Sequence, residues 1–118
     1  MRDFRTLNIW KDGVAIVKQV YRLAKFLPVE EKYGLRSQLY RSAVSIPSNI
    51  DEGCSRSSQI DFKRFLEMAL GSSFELETQL IIIKELSIIS AGDIRAVFDQ
   101  LNKEQKMINL ISKPKANG

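Results

Sequence analysis

Apolar positions recur along this chain in alternating steps of four and three, the spacing that gathers side chains on one face of an α-helix. The first such stripe is Ile9, Gly13, Ile16, Val20 and Leu23, widened by Trp10, Val14, Val17, Tyr21 and Ala24, with Asn8 placed to cap it. It predicts a helix that stops near Leu27-Pro28, because the residue before a proline is pushed out of helical geometry. A second stripe, Leu35, Leu39, Ala43, Ile46 and Ile50, predicts a helix over about residues 34–52. Pro47 lies inside it and predicts a kink or a break and restart, with Gly53 as the C-terminal stop. The third stripe is the longest: Phe62, Leu66, Ala69, Ser73, Leu76, Leu80 and Ile83, capped by Ser57 or Ser58 and ending near Leu86. The fourth follows Ser90 as cap and carries Ile94, Val97, Leu101, Ile108 and Ile111 with Phe98 and Met107 alongside, and Pro114 ends it. No segment alternates apolar and polar residues as a strand would.

Four amphipathic helices of similar length joined by connections of about five to ten residues fold back on one another. The expected fold is therefore all-α: an antiparallel up-down-up-down four-helix bundle. Residues 1–112 form one domain and residues 113–118, KPKANG, a disordered tail. Within the third helix, Leu80, Ile81, Ile82 and Ile83 are consecutive and so point almost all the way round it. One bundle core covers one stripe, so these four residues are candidates for a contact with a second copy. The alternative is that the N-terminal arm, with Phe4, Leu7 and Trp10, lies over this end of the helix.

Composition narrows the chemistry. Of 118 residues none is histidine, which removes the commonest general base and metal ligand. Cys54 is the single cysteine, so it has neither a disulfide partner nor a histidine to activate it, and a chance small loop residue outweighs a redox role beside Arg56. There is no glycine-rich phosphate loop, and Glu75 and Glu77, two apart on a helix, diverge. The chain is accordingly read as not an enzyme, with no cofactor and no metal. The N-terminus carries charges and no signal-like apolar stretch, and no apolar run approaches a membrane span, so the expected location is cytoplasmic. Net charge is +4, and all of it lies in residues 1–58, where ten Lys/Arg face six Asp/Glu; residues 59–118 balance. A basic half favours polyanionic partners. The candidate phosphate-contacting residues are Lys25, Lys32, Arg36, Arg41 and Arg56, supported by Arg2, Arg5, Lys11, Lys18 and Arg22.

The run Ser45-Ile46-Pro47-Ser48-Asn49-Ile50-Asp51-Glu52-Gly53, followed by Arg56, resembles the signature of the family called four helix bundle protein, also known as the 23S rRNA intervening-sequence protein family. The resemblance continues through Leu7 to Lys11, Tyr33 to Ala43, and Phe62, Phe65, Leu66, Ala69, Gly71, Ser72 and Glu75, about residues 4–111 in all. Asp51 departs from the pattern, which usually has alanine there. The resemblance implies a four-helix protomer, a ring-shaped homopentamer and no catalytic residue. It also implies kinship with accessory variability proteins of diversity-generating retroelements, whose pentamers bind nucleic acid and a reverse transcriptase.

The motif also has a structural reading of its own. Asn49 can bond backbone groups freed near Pro47, and Glu52 can pair with Arg56 across the turn or cap the third helix. Gly71 and Ser72 permit close contact midway along the third helix, where Glu75 reaches the same polar cluster. Together with Gly53 these residues form a structural motif rather than a ligand site. The expected function is a non-enzymatic oligomeric accessory protein that binds RNA or DNA backbone in a ribonucleoprotein complex. The alternative is a protein-interaction scaffold without nucleic acid.

Overall fold

A computed structural model describes residues 2–31 and 34–113, and among them it contains helices and no strand. After a short 3-10 turn, Phe4–Thr6, come α1 (Asn8–Ala24), a second 3-10 turn (Val29–Glu31), α2 (Leu35–Cys54), α3 (Gln59–Glu85) and α4 (Ala91–Ser112). Lys32, and the expected tail from Pro114 onward, lie outside the described residues.

Each stripe read from the sequence faces one shared core, except that Ile111 at the end of the fourth is exposed. Ile16, Val20, Leu39, Ala43, Ile46, Ile50, Leu66, Ala69, Leu76, Leu80, Ile83, Ile94, Leu101 and Ile108 are fully buried together. Neighbouring helices meet in an ordered way. The start of α2 reaches the end of α1, where the Arg36 guanidinium donates to the Leu27 carbonyl at 3.1 Å. Ser42 on α2 meets Gln79 on α3, whereas the later Ser45 meets the earlier Ser72. Gln105 of α4 donates to Glu77 of α3 at 2.8 Å. The ring of helices closes where Gly13 of α1 faces Glu104 of α4.

Several local expectations change. α1 starts at Asn8 itself, with Leu7 in the cap position and no side-chain cap; Asp3 instead accepts from the Arg5 amide one turn earlier. Pro47 neither breaks α2 nor ends it: the helix runs on to Cys54 with Pro47 buried inside. Gly13 makes this possible, since a Cβ there would stand only 3.4 Å from the Pro47 Cβ, so the ring packs against α1 where a side chain is missing.

Gly53 is a helical residue and not a stop. Its hydrogen lets α3 approach, and a Cβ there would lie 3.0 Å from the Phe65 Cβ and 3.2 Å from the Phe62 carbonyl oxygen. Gly71 has no such role: it is exposed and nothing stands within 4 Å of a Cβ. On α3, Ser58 is the cap and accepts from the Asp61 amide at 3.0 Å. α3 closes through Ser87 at a positive φ of 54°, with the amides of Ser87 and Ile88 bonded to the carbonyls of Lys84 and Ile83. That pair of bonds is a Schellman closure, formed here without glycine.

Candidate nucleic-acid interface

The candidate basic residues separate into two groups. Lys25 follows the end of α1, and Arg36 and Arg41 lie in the first turns of α2. Arg56 lies beyond the far end of α2, about 30 Å along the helix axis from Arg36. There it pairs with Glu52 at 3.4 Å and lies over the Phe65 ring at 4.8 Å. Arg2 joins it at that end, over Phe62 at 3.8 Å, bonded to Gln59 and, through its amide, to the Cys54 carbonyl. These arginines fasten the N-terminal arm and the α2–α3 turn. Arg36 is half-buried and committed to the Leu27 carbonyl, so it closes α1 rather than offering a free charge.

The exposed residues that remain are Lys18, Lys25 and Arg41 on α1 and α2, and Arg22, which lines the groove between α1 and α4 with Asp93. The helices that carry them supply no opposing charge nearby. Between Asp12 and Glu30, and again between Glu31 and Asp51, the sequence has no acidic residue. Glu31 itself is engaged at the start of α2, where its carboxylate accepts from the Leu35 amide at 3.2 Å. The α1–α2 pair thus presents a positive face. At its centre Tyr21 and Tyr40 stack with ring centroids 4.0 Å apart and planes within 14°. Neither tyrosine was singled out as a site from the sequence; Tyr21 reads there only as the edge of an apolar stripe. The signal available was a tyrosine with basic residues three before, one after and four after it.

The motif residues bind α2 to α3. The Ser45 and Ser72 hydroxyls lie 2.7 Å apart, and the Asn49 amide donates to the Ser45 carbonyl and hydroxyl at 2.9 and 3.0 Å. Asn49 therefore serves Ser45 and not the carbonyl of Ala43 that Pro47 leaves without its amide donor. Glu75 belongs to a second cluster: Gln79 donates to it at 3.4 Å and accepts from the buried Ser42 hydroxyl at 2.7 Å. Glu52 pairs with Arg56 and leaves the start of α3 to Ser58. At Asp51, burial first and the Glu52 carboxylate second push the carboxyl up, although its own bond to backbone opposes them.

Of the candidate interface residues, Leu80 and Ile83 are fully buried in the protomer core, because they continue the α3 seam, and cannot touch a second copy. Ile81 and Ile82 are exposed, at 42% and 44%. The N-terminal arm does not cover them. Phe4 packs edge-on against Trp10 at 5.2 Å, at the end of the bundle where Arg2 meets Cys54.

Cys54 is a buried residue of α2 rather than a loop residue, and burial pushes its thiol up, away from reactivity. No group of three or more His, Cys, Asp or Glu able to hold a metal occurs among the described residues. The sequence reading passed over one buried group, Glu104, which fills a gap in the α4 stripe between Leu101 and Ile108. Its side chain is fully buried and neither carboxylate oxygen has a hydrogen-bond partner. Burial, and secondarily the Asp12 charge, push it up to about 8. No helix among the described residues is long and apolar enough to cross a membrane.

Comparison with known proteins agrees with this architecture. A crystal structure of a protein with unknown function from the S23 ribosomal protein family of Bacteroides thetaiotaomicron VPI-5482 superposes with a TM-score of 0.83 at 25% identity, covering 90% of this chain and 99% of that one. No curated protein matches the chain. Residues 5–110 match the family described as 23S rRNA-intervening sequence protein, and the chain therefore belongs to that family.

Proposed function

We propose that this protein is a non-enzymatic, oligomeric accessory protein that binds the backbone of RNA or DNA through the α1–α2 face. The observation that carries the reading is the stretch of two packed helices with exposed Lys18, Lys25 and Arg41 and no acidic residue between Asp12 and Glu30 or between Glu31 and Asp51. Phosphate contacts of this kind fix position without reading sequence. The family's name, 23S rRNA-intervening sequence protein, is consistent with association with RNA. The reading takes the four helices as an antiparallel up-down-up-down bundle in one domain, working in the cytoplasm. Copies assemble through the exposed Ile81 and Ile82 side of α3 into a closed ring. With five protomers, the +4 of each chain becomes about +20, a field that attracts polyanions. Charge reversal at Lys25 and Arg41 tests the reading: the double variant should keep its helical content and lose most of its affinity for labelled RNA. Unchanged affinity would sink it.

A second reading is a scaffold for a partner protein such as a reverse transcriptase, in which nucleic acid has no part. It is favoured by Phe74, Ile81, Ile82 and Leu86, which stand exposed along α3 and its end. Capture of one defined protein, resistant to nuclease and lost in Ile82→Asp, would support it over the first.

A further inference from the structure

The stacked tyrosines sit where an ordinary surface helix would carry polar residues. Tyr21 is 43% exposed and lies off the buried seam of Ile16, Val20 and Leu23; Tyr40 is half-buried beside it. Lys18 and Lys25 lie one turn before and one turn after Tyr21 on the same face of α1. From the geometry we infer that the Tyr21–Tyr40 pair is a stacking site for an unpaired base, so that the ligand of this face is single-stranded nucleic acid. The inference rests on the nucleic-acid reading above and narrows it from any polyanion to a strand with free bases.

The chemistry of the patch favours that occupant over the others. An aromatic face accepts any base by stacking, and cations beside it take the flanking phosphates, the combination by which single strands are held without sequence preference. A duplex keeps its bases stacked on one another and offers such a ring nothing but its backbone. A second copy meeting this face with its own α1–α2 face would have to bury Lys18, Lys25 and Arg41, and no acidic residue lies on those stretches of α1 and α2 to receive them. Lys18 to Lys25 spans about 10 Å along α1, enough for a strand to be held on both sides of one stacked base.

The test compares three labelled probes by fluorescence anisotropy on the full chain: a ten-nucleotide oligothymidine, an abasic strand of equal length, and a hairpin duplex. Wild-type protein should bind oligothymidine on the order of tenfold more tightly than the abasic strand. Tyr21→Ala should remove that preference without weakening the abasic complex, and Tyr21→Phe, which keeps the ring, should retain it. Equal affinities in the wild type, or a preference that survives Tyr21→Ala, would overturn the inference while leaving the polyanion reading in place. Absence of binding to all three probes would overturn both. A change in sedimentation mass on Tyr21→Ala with no change in preference would make the patch a contact between copies and would also overturn it.

Discussion

Replacing Glu104 by glutamine should stabilise this protein in alkaline solution and not in acid. The carboxyl is fully buried, neither oxygen has a partner, and it is pushed up to about 8 from an ordinary 4.5. Below pH 4.5 the group is protonated in the folded and unfolded chain alike and contributes no pH dependence. Above that, the unfolded chain releases its proton while the native state holds it, so the native state binds more protons and stability falls as pH rises. Each pH unit across the interval costs about 1.4 kcal/mol. The loss is therefore about 3 kcal/mol at pH 7 and about 5 kcal/mol once pH passes 8, where it levels off. Glutamine has nearly the same shape and no proton to lose, so the variant escapes this slope. The cost of burying its amide is independent of pH and cancels when two pH values are compared. Urea unfolding followed by far-ultraviolet circular dichroism at pH 5, 7 and 9 should show the stability difference, variant minus wild type, rising by several kcal/mol. A difference that stays constant to within about 0.5 kcal/mol would refute the claim that Glu104 enters the core as a neutral acid.

The two glycines of the α2–α3 region should respond oppositely. Gly53→Ala forces a Cβ to 3.0 Å from that of Phe65 and should cost about 1–3 kcal/mol, whereas Gly71→Ala, with nothing within 4 Å, should add about 0.5–1 kcal/mol, both read by urea midpoint. Ser87→Gly should stabilise by about 1 kcal/mol, because the φ of 54° that closes α3 is one glycine adopts without strain; a loss of stability would show that its side chain matters more than its backbone. Ile82→Asp should lower the mass of the proposed ring in light scattering and leave the thermal midpoint of the protomer nearly unchanged, while Leu80→Ala should cost about 2–5 kcal/mol in stability.

The helices were legible in the sequence because their apolar stripes are long and regular: the α3 seam from Phe62 to Ile83 is buried at every position read there. What was not legible depends on a neighbouring helix. Pro47 reads as a break until Gly13 is seen across from it, leaving room for the ring. Gly53 reads as a stop until α3 is placed against it, and Gly71 as a contact until its surroundings prove empty. The run from Leu80 to Ile83 could be divided from the stripe itself, which carries Leu80 and Ile83 in phase with Phe62; grouping all four as an interface used only their consecutive order. Among the candidate site residues, composition located the excess positive charge in the first half but could not tell free charges from engaged ones. Arg36 and Arg56 differ from Lys25 and Arg41 through their partners: the Leu27 carbonyl for one, which no local spacing announces, and for the other the Phe65 ring together with Glu52, a pairing that the sequence did suggest. Glu104 was visible as a charge interrupting an apolar stripe, a signal that goes unnoticed when only apolar positions are counted.

The central claim is that the α1–α2 face binds nucleic acid through phosphate contacts. Its most direct test is the salt dependence of RNA binding by the wild type and by the Lys25→Glu/Arg41→Glu variant, measured by anisotropy from about 50 to 200 mM salt. The account predicts micromolar or tighter binding at low salt with a steep negative slope in the wild type, and a weaker complex with a shallower slope, by about one unit per lost contact, in the variant. No binding by the wild type at low salt, or superimposable slopes for the two proteins, would contradict it.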